Sequence, residues 1–170
     1  MATRPTLWVS ACLLGKPVRY DGGHKHQAGL ENWLNSWAHI VPLCPEVFAG
    51  LGTPRPPIQR QQTAQGDRLV LAETGEPTAA ALPDACQTLV RQQPVPAGAI
   101  LKARSPSCGA GNSPLFDPHN RLIGHGDGVF VQALKARFEG LAIVDEEQLH
   151  TQAQRQAFYR SVMRGIGEAD

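Results

Sequence analysis

The sequence has few charged residues, few aromatic residues and no long apolar run. Asp, Glu, Lys and Arg make up only 18% of its 170 residues, whereas 42% are hydrophobic. This balance excludes an intrinsically disordered chain, because such chains are rich in charge and poor in apolar residues. No segment reaches the roughly 18 consecutive apolar residues that span a bilayer, so we expect no transmembrane helix and no membrane partner.

The sequence also lacks an excess of charge of either sign. Sixteen basic and fifteen acidic residues leave a formal net charge of +1, which provides little attraction to a polyanion and argues against a nucleic-acid partner. The apolar stretch near the N-terminus is too short for a secretory signal. We therefore expect a cytoplasmic protein whose thiols stay reduced, and no disulfide among its four cysteines. Nothing in the sequence sets an oligomeric state.

Short apolar runs alternate with amphipathic segments. The runs at 6–11, His39–Leu43, 99–102 and 141–144 predict buried strands. Segments 30–37, 78–92, 129–138 and 146–163 predict helices, and 59–74 and 113–123 predict hairpins. This alternation indicates an α/β fold. We predict a single three-layer Rossmann-like domain over residues 1–170, with a mostly parallel sheet, short hairpin insertions and a polar helical C-terminal tail from about residue 146.

Three cysteines, Cys12, Cys44 and Cys108, each follow a predicted strand and lie in a loop. Open α/β sheets bind ligands outside the carboxyl ends of their strands, so we expect the three thiols to converge. Three thiolates suit a metal or an iron–sulfur cluster better than they suit a disulfide. The alternative is that all three are core thiols, because free cysteine is among the most buried residue types.

The fourth cysteine and the histidines decide how many ligands a metal would have. Cys86 shares a helical face with Leu82 and Leu89, which indicates core packing. A closed zinc site needs four ligands, and His24 or His26 could complete one. Otherwise one coordination position stays open, as in catalytic centres. Cys44 precedes a proline that favours the first turn of a helix, and a helix N-terminus lowers the pKa of a thiol.

Five segments combine into a specific pattern. They are residues 9–15 (VSACLLG), 19–22 (RYDG), 44–46 (CPE), 53–57 (TPRPP) and 102–109 (KARSPSCG). Together and in this order they resemble the 2-thiouracil desulfurase family, over about residues 6–145. The resemblance implies a 4Fe–4S cluster held by Cys12, Cys44 and Cys108. It also implies one open iron that takes sulfur from a thiolated pyrimidine.

The same resemblance implies that Glu46 is the acid/base carboxylate and that Ser105 contacts the substrate. Asp21, in the glycine-rich loop, is a substitute base. Each of the three has a structural alternative: a first-turn carboxylate favoured by the helix dipole for Glu46, a turn aspartate and a turn serine for the others. Arg55, in the proline-rich segment, could bind an anion, but we favour a surface role for it.

The function that follows is an iron–sulfur-dependent desulfurase. It would remove sulfur, as sulfide, from thiolated uracil or a related thiolated nucleobase or nucleoside, with a small molecule as its partner. Two other functions use the same cysteines: a zinc-stabilised structural or interaction module, and a non-catalytic iron–sulfur redox protein.

Overall fold

The apolar runs form strands in the computed structural model, which describes residues 4–167. Its strands are β1 (Thr6–Ser10), β2 (His39–Leu43), β3 (Ile58–Thr63), β4 (Gly66–Leu71), β5 (Gly98–Leu101), β6 (Ser113–Phe116), β7 (Leu122–Gly126) and β8 (Ala142–Asp145). Its α-helices are α1 (Leu30–Asn35), α2 (Pro45–Phe48), α3 (Leu82–Leu89), α4 (Val129–Arg137) and α5 (Gln152–Gly167), and short 3-10 helices span Ala11–Leu14 and Glu146–Leu149.

The first sheet is entirely parallel and has the strand order β2-β1-β5-β8. Its central strands are apolar along almost their whole length, as expected for strands covered on both faces. The chain moves from β1 to β2 on one side and then crosses to β5 on the other. The carboxyl edge between β1 and β5 is therefore a topological switch point, where such sheets bind ligands.

Helices cover both faces of the first sheet. Neighbouring residues of a strand point to opposite faces, so Trp8 packs in one core cluster with Phe130 of α4. Leu7 packs in a second cluster with Phe158 and Val162 of α5. The result is a three-layer α/β arrangement, and the predicted fold class is confirmed.

The two predicted hairpins are present, but they join into a second sheet. Its strand order is β4-β3-β6-β7, in which β3 pairs antiparallel with β4, and β6 antiparallel with β7. The hairpins meet through a parallel pairing of β3 with β6 that sets Arg60 opposite Leu115. The buried Arg60 guanidinium donates to the Ser113 hydroxyl at 2.9 Å and to its carbonyl oxygen at 2.7 Å. Strand pairing between distant hairpins leaves no local pattern, so the sequence did not predict this sheet.

The C-terminal segment is less regular than the helix predicted for 146–163. A 3-10 turn follows β8 and is capped by Asp145, whose carboxylate accepts from the Glu147 amide at 2.9 Å. The helical structure is then interrupted before α5 begins at Gln152. Phe158 and Val162 are buried on this mostly polar helix, so α5 completes the third layer. Within residues 4–167, no helix is both long enough and apolar enough to cross a membrane.

Candidate active site at the carboxyl edge of the parallel sheet

A cavity of about 370 Å³ lies at the switch point of the first sheet. Cys12, Cys44 and Cys108 all line it, and so do Glu46 and Ser105. The structure thus brings five of the six predicted site residues to one cavity. The strands that precede the cysteines are neighbours, because β1 lies between β2 and β5.

Each cysteine is held by a different local structure. Cys12 lies in the 3-10 helix that follows β1 directly. Cys44 is the N-cap of α2, with an extended φ of −142° before Pro45. The thiol of Cys44 contacts the Val18 carbonyl oxygen at 3.9 Å. Cys108 ends the turn after β5, and its amide donates to the Ser105 hydroxyl oxygen at 3.0 Å.

Burial has the largest effect on the pKa values of the three cavity thiols. It raises the pKa of Cys12 to about 11 and raises that of Cys108 well above the ordinary value. The pKa of Cys44 is also raised, because desolvation outweighs the opposing effect of the Val47 amide at the start of α2. The expected lowering of the Cys44 pKa is therefore wrong in sign. The helix-terminal effect is present but is smaller than the cost of placing a charge in a buried site.

Glu46 is fixed at both carboxylate oxygens. Oε1 accepts from Nε of Arg55 at 3.0 Å, and Oε2 accepts from the Ser107 hydroxyl at 2.8 Å. The side chain of Glu46 is only 12% exposed and that of Arg55 only 6%. Because a carboxylate offers about four lone-pair positions, these two bonds leave Glu46 able to accept another proton donor from the cavity.

The expectation that Arg55 is a surface residue is wrong. Besides its bond to Glu46, the guanidinium donates to the carbonyl oxygens of Val18 at 2.9 Å and Gly52 at 2.8 Å. A proline-rich loop has no periodicity from which burial can be predicted. The partner of Arg55, nine residues earlier in the chain, is evident only in three dimensions.

Ser105 and Asp21 differ in their relation to the cavity. The Ser105 hydroxyl oxygen lies in the cavity wall and accepts from the amides of Ser107, at 3.1 Å, and Cys108. Its own hydrogen stays available to a ligand. Asp21 does not line the cavity; its half-exposed carboxylate accepts from the Gly23 amide at 2.9 Å. The structure therefore separates Asp21 from the other five predicted residues, while its neighbours Arg19 and Tyr20 do line the cavity.

The cavity wall also contains a buried ion pair that the sequence does not predict. Nζ of Lys102 lies 2.9 Å from Oε2 of Glu146, and Oε1 of Glu146 accepts from the Ala103 amide at 2.7 Å. Glu146 is only 7% exposed. Lys102 is part of the 102–109 motif and can be recognised from the sequence. Its partner Glu146 follows β8, 44 residues later in the chain, and cannot.

The donor set of the cavity fits a cluster better than a single ion. Among residues 4–167, no three His, Cys, Asp or Glu side chains gather closely enough to hold one metal ion. His24 and His26 are exposed and do not line the cavity, and Cys86 lies in the apolar core beside α4. Three thiols on separate loops around one cavity match a polynuclear iron–sulfur group, whose irons take separate thiolates. A closed zinc site would need four convergent ligands.

Comparisons with known proteins agree with this geometry. The family model for 2-thiouracil desulfurase matches residues 7–147. The uncharacterized protein YbbK of Bacillus subtilis (strain 168) is 30% identical over 152 residues, which cover 84% of this chain and 96% of YbbK. The solved structure of the [4Fe-4S]-dependent thiouracil desulfidase TudS superposes with a TM-score of 0.68 and 31% identity, covering 91% of this chain and 99% of TudS. This chain belongs to the 2-thiouracil desulfurase family.

Proposed function

We propose that this protein is a [4Fe–4S]-dependent desulfurase that hydrolyses the C–S bond of a thiolated uracil, or of a related nucleobase or nucleoside, and releases sulfide. The observation that carries the proposal is the meeting of three cysteine thiols, a fixed carboxylate and a serine hydroxyl in one cavity at the switch point. Membership of the 2-thiouracil desulfurase family and the likeness to TudS support the same reaction.

Cys12, Cys44 and Cys108 would hold the cluster through three of its irons and leave one iron without a protein ligand. When bound, the cluster supplies a Lewis-acidic iron with affinity for sulfur. The three thiols must lose their protons to bind it, so burial of the thiols opposes loading until the metal compensates the thiolate charge.

Glu46 would serve as the general base. Water adds to the thiocarbonyl carbon and a C–O bond forms while one water proton passes to Glu46. The C–S bond then breaks as Glu46 returns that proton to sulfur, which departs as hydrosulfide. The second proton passes from the new hydroxyl group to Glu46 and then to solvent, which restores the carbonyl. No electron is transferred. We assign the base to Glu46 rather than Asp21 because Glu46 lines the cavity and Asp21 does not.

Ser105 would orient the substrate or the attacking water. Its hydroxyl oxygen already accepts two backbone amides, so its orientation is set before a ligand arrives. Its remaining hydrogen can be donated to a ring carbonyl oxygen or to water. Such a preorganised donor loses little entropy when the substrate binds.

The test is anaerobic reconstitution followed by incubation with 2-thiouracil and with 4-thiouracil. We expect a brown protein with about four irons per chain, and equal amounts of uracil and sulfide from at least one of the two substrates. A colourless protein with one zinc would favour the structural module. A full cluster without turnover would favour the non-catalytic redox protein.

A further inference from the structure

One hydrogen-bond network connects the three loops that carry Cys12, Cys44 and Cys108. Glu46, two residues after Cys44, binds Ser107, which directly precedes Cys108. Its other oxygen binds Arg55. The Arg55 guanidinium also binds the carbonyl oxygen of Val18, in the loop after Cys12. The network therefore reaches every loop that contributes a thiol.

Arg55 is the member of this network with the most contacts. Its guanidinium donates to Glu46, Val18 and Gly52, and also to the Thr53 hydroxyl at 3.2 Å. Its backbone amide donates to the Tyr20 carbonyl oxygen at 2.7 Å. A planar guanidinium can serve these acceptors together because its five N–H groups point in set directions. No other ion pair within residues 4–167 joins two of the cysteine loops.

Three further cations of the cavity wall lie near other carboxylates. Lys102 pairs with Glu146 after β8, and the exposed Arg104 pairs with Glu147. Arg19 lies 3.8 Å from Asp21 in its own loop. Arg55 alone among these four contacts Glu46, the carboxylate that faces the cavity.

From this geometry we propose that Arg55 is a positioning residue that acts through Glu46. It sets the direction of the carboxylate and joins the loops after β1 and β2, while Ser107 extends the connection to the loop after β5. The proposal deepens the proposed function and rests on it for its kinetic part. Its structural part, the joining of the loops, concerns the protein with or without a cluster.

The consequence is a coupling between Arg55 and Glu46. If the guanidinium works by orienting Glu46, its loss should reduce kcat and leave KM nearly unchanged, because the misplaced group is the base and not the binding surface. A misplacement of about 1 Å costs on the order of 10²-fold in rate. Once Glu46 can no longer act as a base, removing Arg55 should cost little more.

The kinetic test is a double-mutant cycle of Arg55→Met and Glu46→Gln, with each variant compared at matched iron content. Met keeps the length and removes the charge and the donors. We expect Arg55→Met to lower kcat by about 10–100-fold and the double variant to be no slower than Glu46→Gln alone. Arg55→Lys should be intermediate, because an ammonium can bind Glu46 but cannot reproduce the planar fork. Losses that multiply in the double variant would overturn the proposal.

The structural test is hydrogen exchange of the cluster-free protein. Arg55→Met should speed exchange in peptides covering residues 16–22 and 50–56, whose carbonyl groups lose a donor. The matched control is Arg121→Met, which removes another arginine paired with a carboxylate at 2.9 Å, but one whose side chain is 73% exposed in the β6–β7 hairpin. The control should leave exchange in these two peptides, and kcat, unchanged.

The two tests separate the positioning role from the proposed function. If the wild-type protein holds a cluster but does not desulfurise thiouracil, the proposed function fails, and hydrogen exchange still decides whether Arg55 joins the loops. Exchange that is identical in Arg55→Met and the wild type would overturn the proposal. Should Arg55→Met fail to fold, Arg55→Lys carries the same comparison.

Discussion

The cavity at the carboxyl edge of the first sheet and the layer formed by α3 and α4 both contain buried cysteine, in different surroundings. Cys86 on α3 is fully buried among apolar side chains that include Leu82 and Leu89. Cys12 and Cys108 are nearly as buried, at 7% and 5% exposure, yet they line a cavity that also contains charged groups. Burial alone therefore does not separate a packing thiol from a candidate ligand; the neighbouring polar groups do.

The carboxylates show the same contrast. Glu46 is nearly buried and bonded at both oxygens, whereas Asp21 is half-exposed and bonded within its own turn. Two acidic residues in equally conspicuous motifs thus have different surroundings. The difference follows from position: Glu46 begins a helix at the end of β2, while Asp21 lies in a loop that extends beyond the cavity.

The largest expected effect separates the cysteines. Replacing Cys12, Cys44 or Cys108 with Ala should abolish cluster assembly and turnover, because each variant loses one thiolate ligand. Cys86→Ala should retain both. Iron content and visible absorption after anaerobic reconstitution are the measurements. A full cluster in any of the first three variants would remove that residue from the ligand set, and loss of iron from Cys86→Ala would add Cys86 to it.

The next effect separates the carboxylates. Glu46→Gln should keep the cluster and lose about 10²–10⁴-fold in turnover, the usual contribution of a general base. Asp21→Asn should turn over thiouracil at close to the wild-type rate. Rates are compared only between preparations of equal iron content, since partial loading imitates a catalytic defect. The opposite ranking would assign the base to Asp21.

A smaller effect is expected at Ser105. Ser105→Ala removes the acceptor of two amides and the donor that faces the cavity. We expect the free energy of unfolding to fall by about 1 kcal/mol and turnover to fall about tenfold. Ser105→Thr keeps the hydroxyl and is the matched control. Equal turnover in the two variants would show that the hydroxyl has no part in the reaction.

The smallest effect on turnover is expected at Cys86, where only stability should change. Cys86→Ala should lower the free energy of unfolding by about 1–2 kcal/mol, because it removes a small buried group. Burial raises the pKa of Cys86 from 9.0 to about 12. A raised folded-state pKa of a thiol contributes stability that is complete below pH 9 and is lost as pH rises toward 12. The free energy of unfolding of the cluster-free protein, measured with denaturant, should therefore fall less steeply with pH above pH 9 in Cys86→Ala than in the wild type. Equal slopes would contradict this.

Local patterns in the sequence predicted much of the fold. The parallel strands were predicted because strands buried on both faces are short continuous apolar runs. The helix of Cys86 was recognised from its apolar spacing, although it begins at Leu82, next to Pro83, rather than at residue 78. The joining of two hairpins into a second sheet was not predicted, because the pairing of Arg60 with Leu115 has no local signature.

The candidate site also has features that the local sequence predicts and features that it does not. The place of each thiol after a strand, and the motifs around Glu46 and Ser105, can be read along the chain, because strand ends and turns are set by neighbouring residues. Their exposure and partners cannot. The burial of Arg55, the pairing of Lys102 with Glu146 and the raised pKa of Cys44 depend on distant segments that enclose the same space. Neighbouring residues along the chain thus set the order of the elements and the place of each thiol. The packing of distant segments sets which polar groups meet, because desolvation and charge act through space.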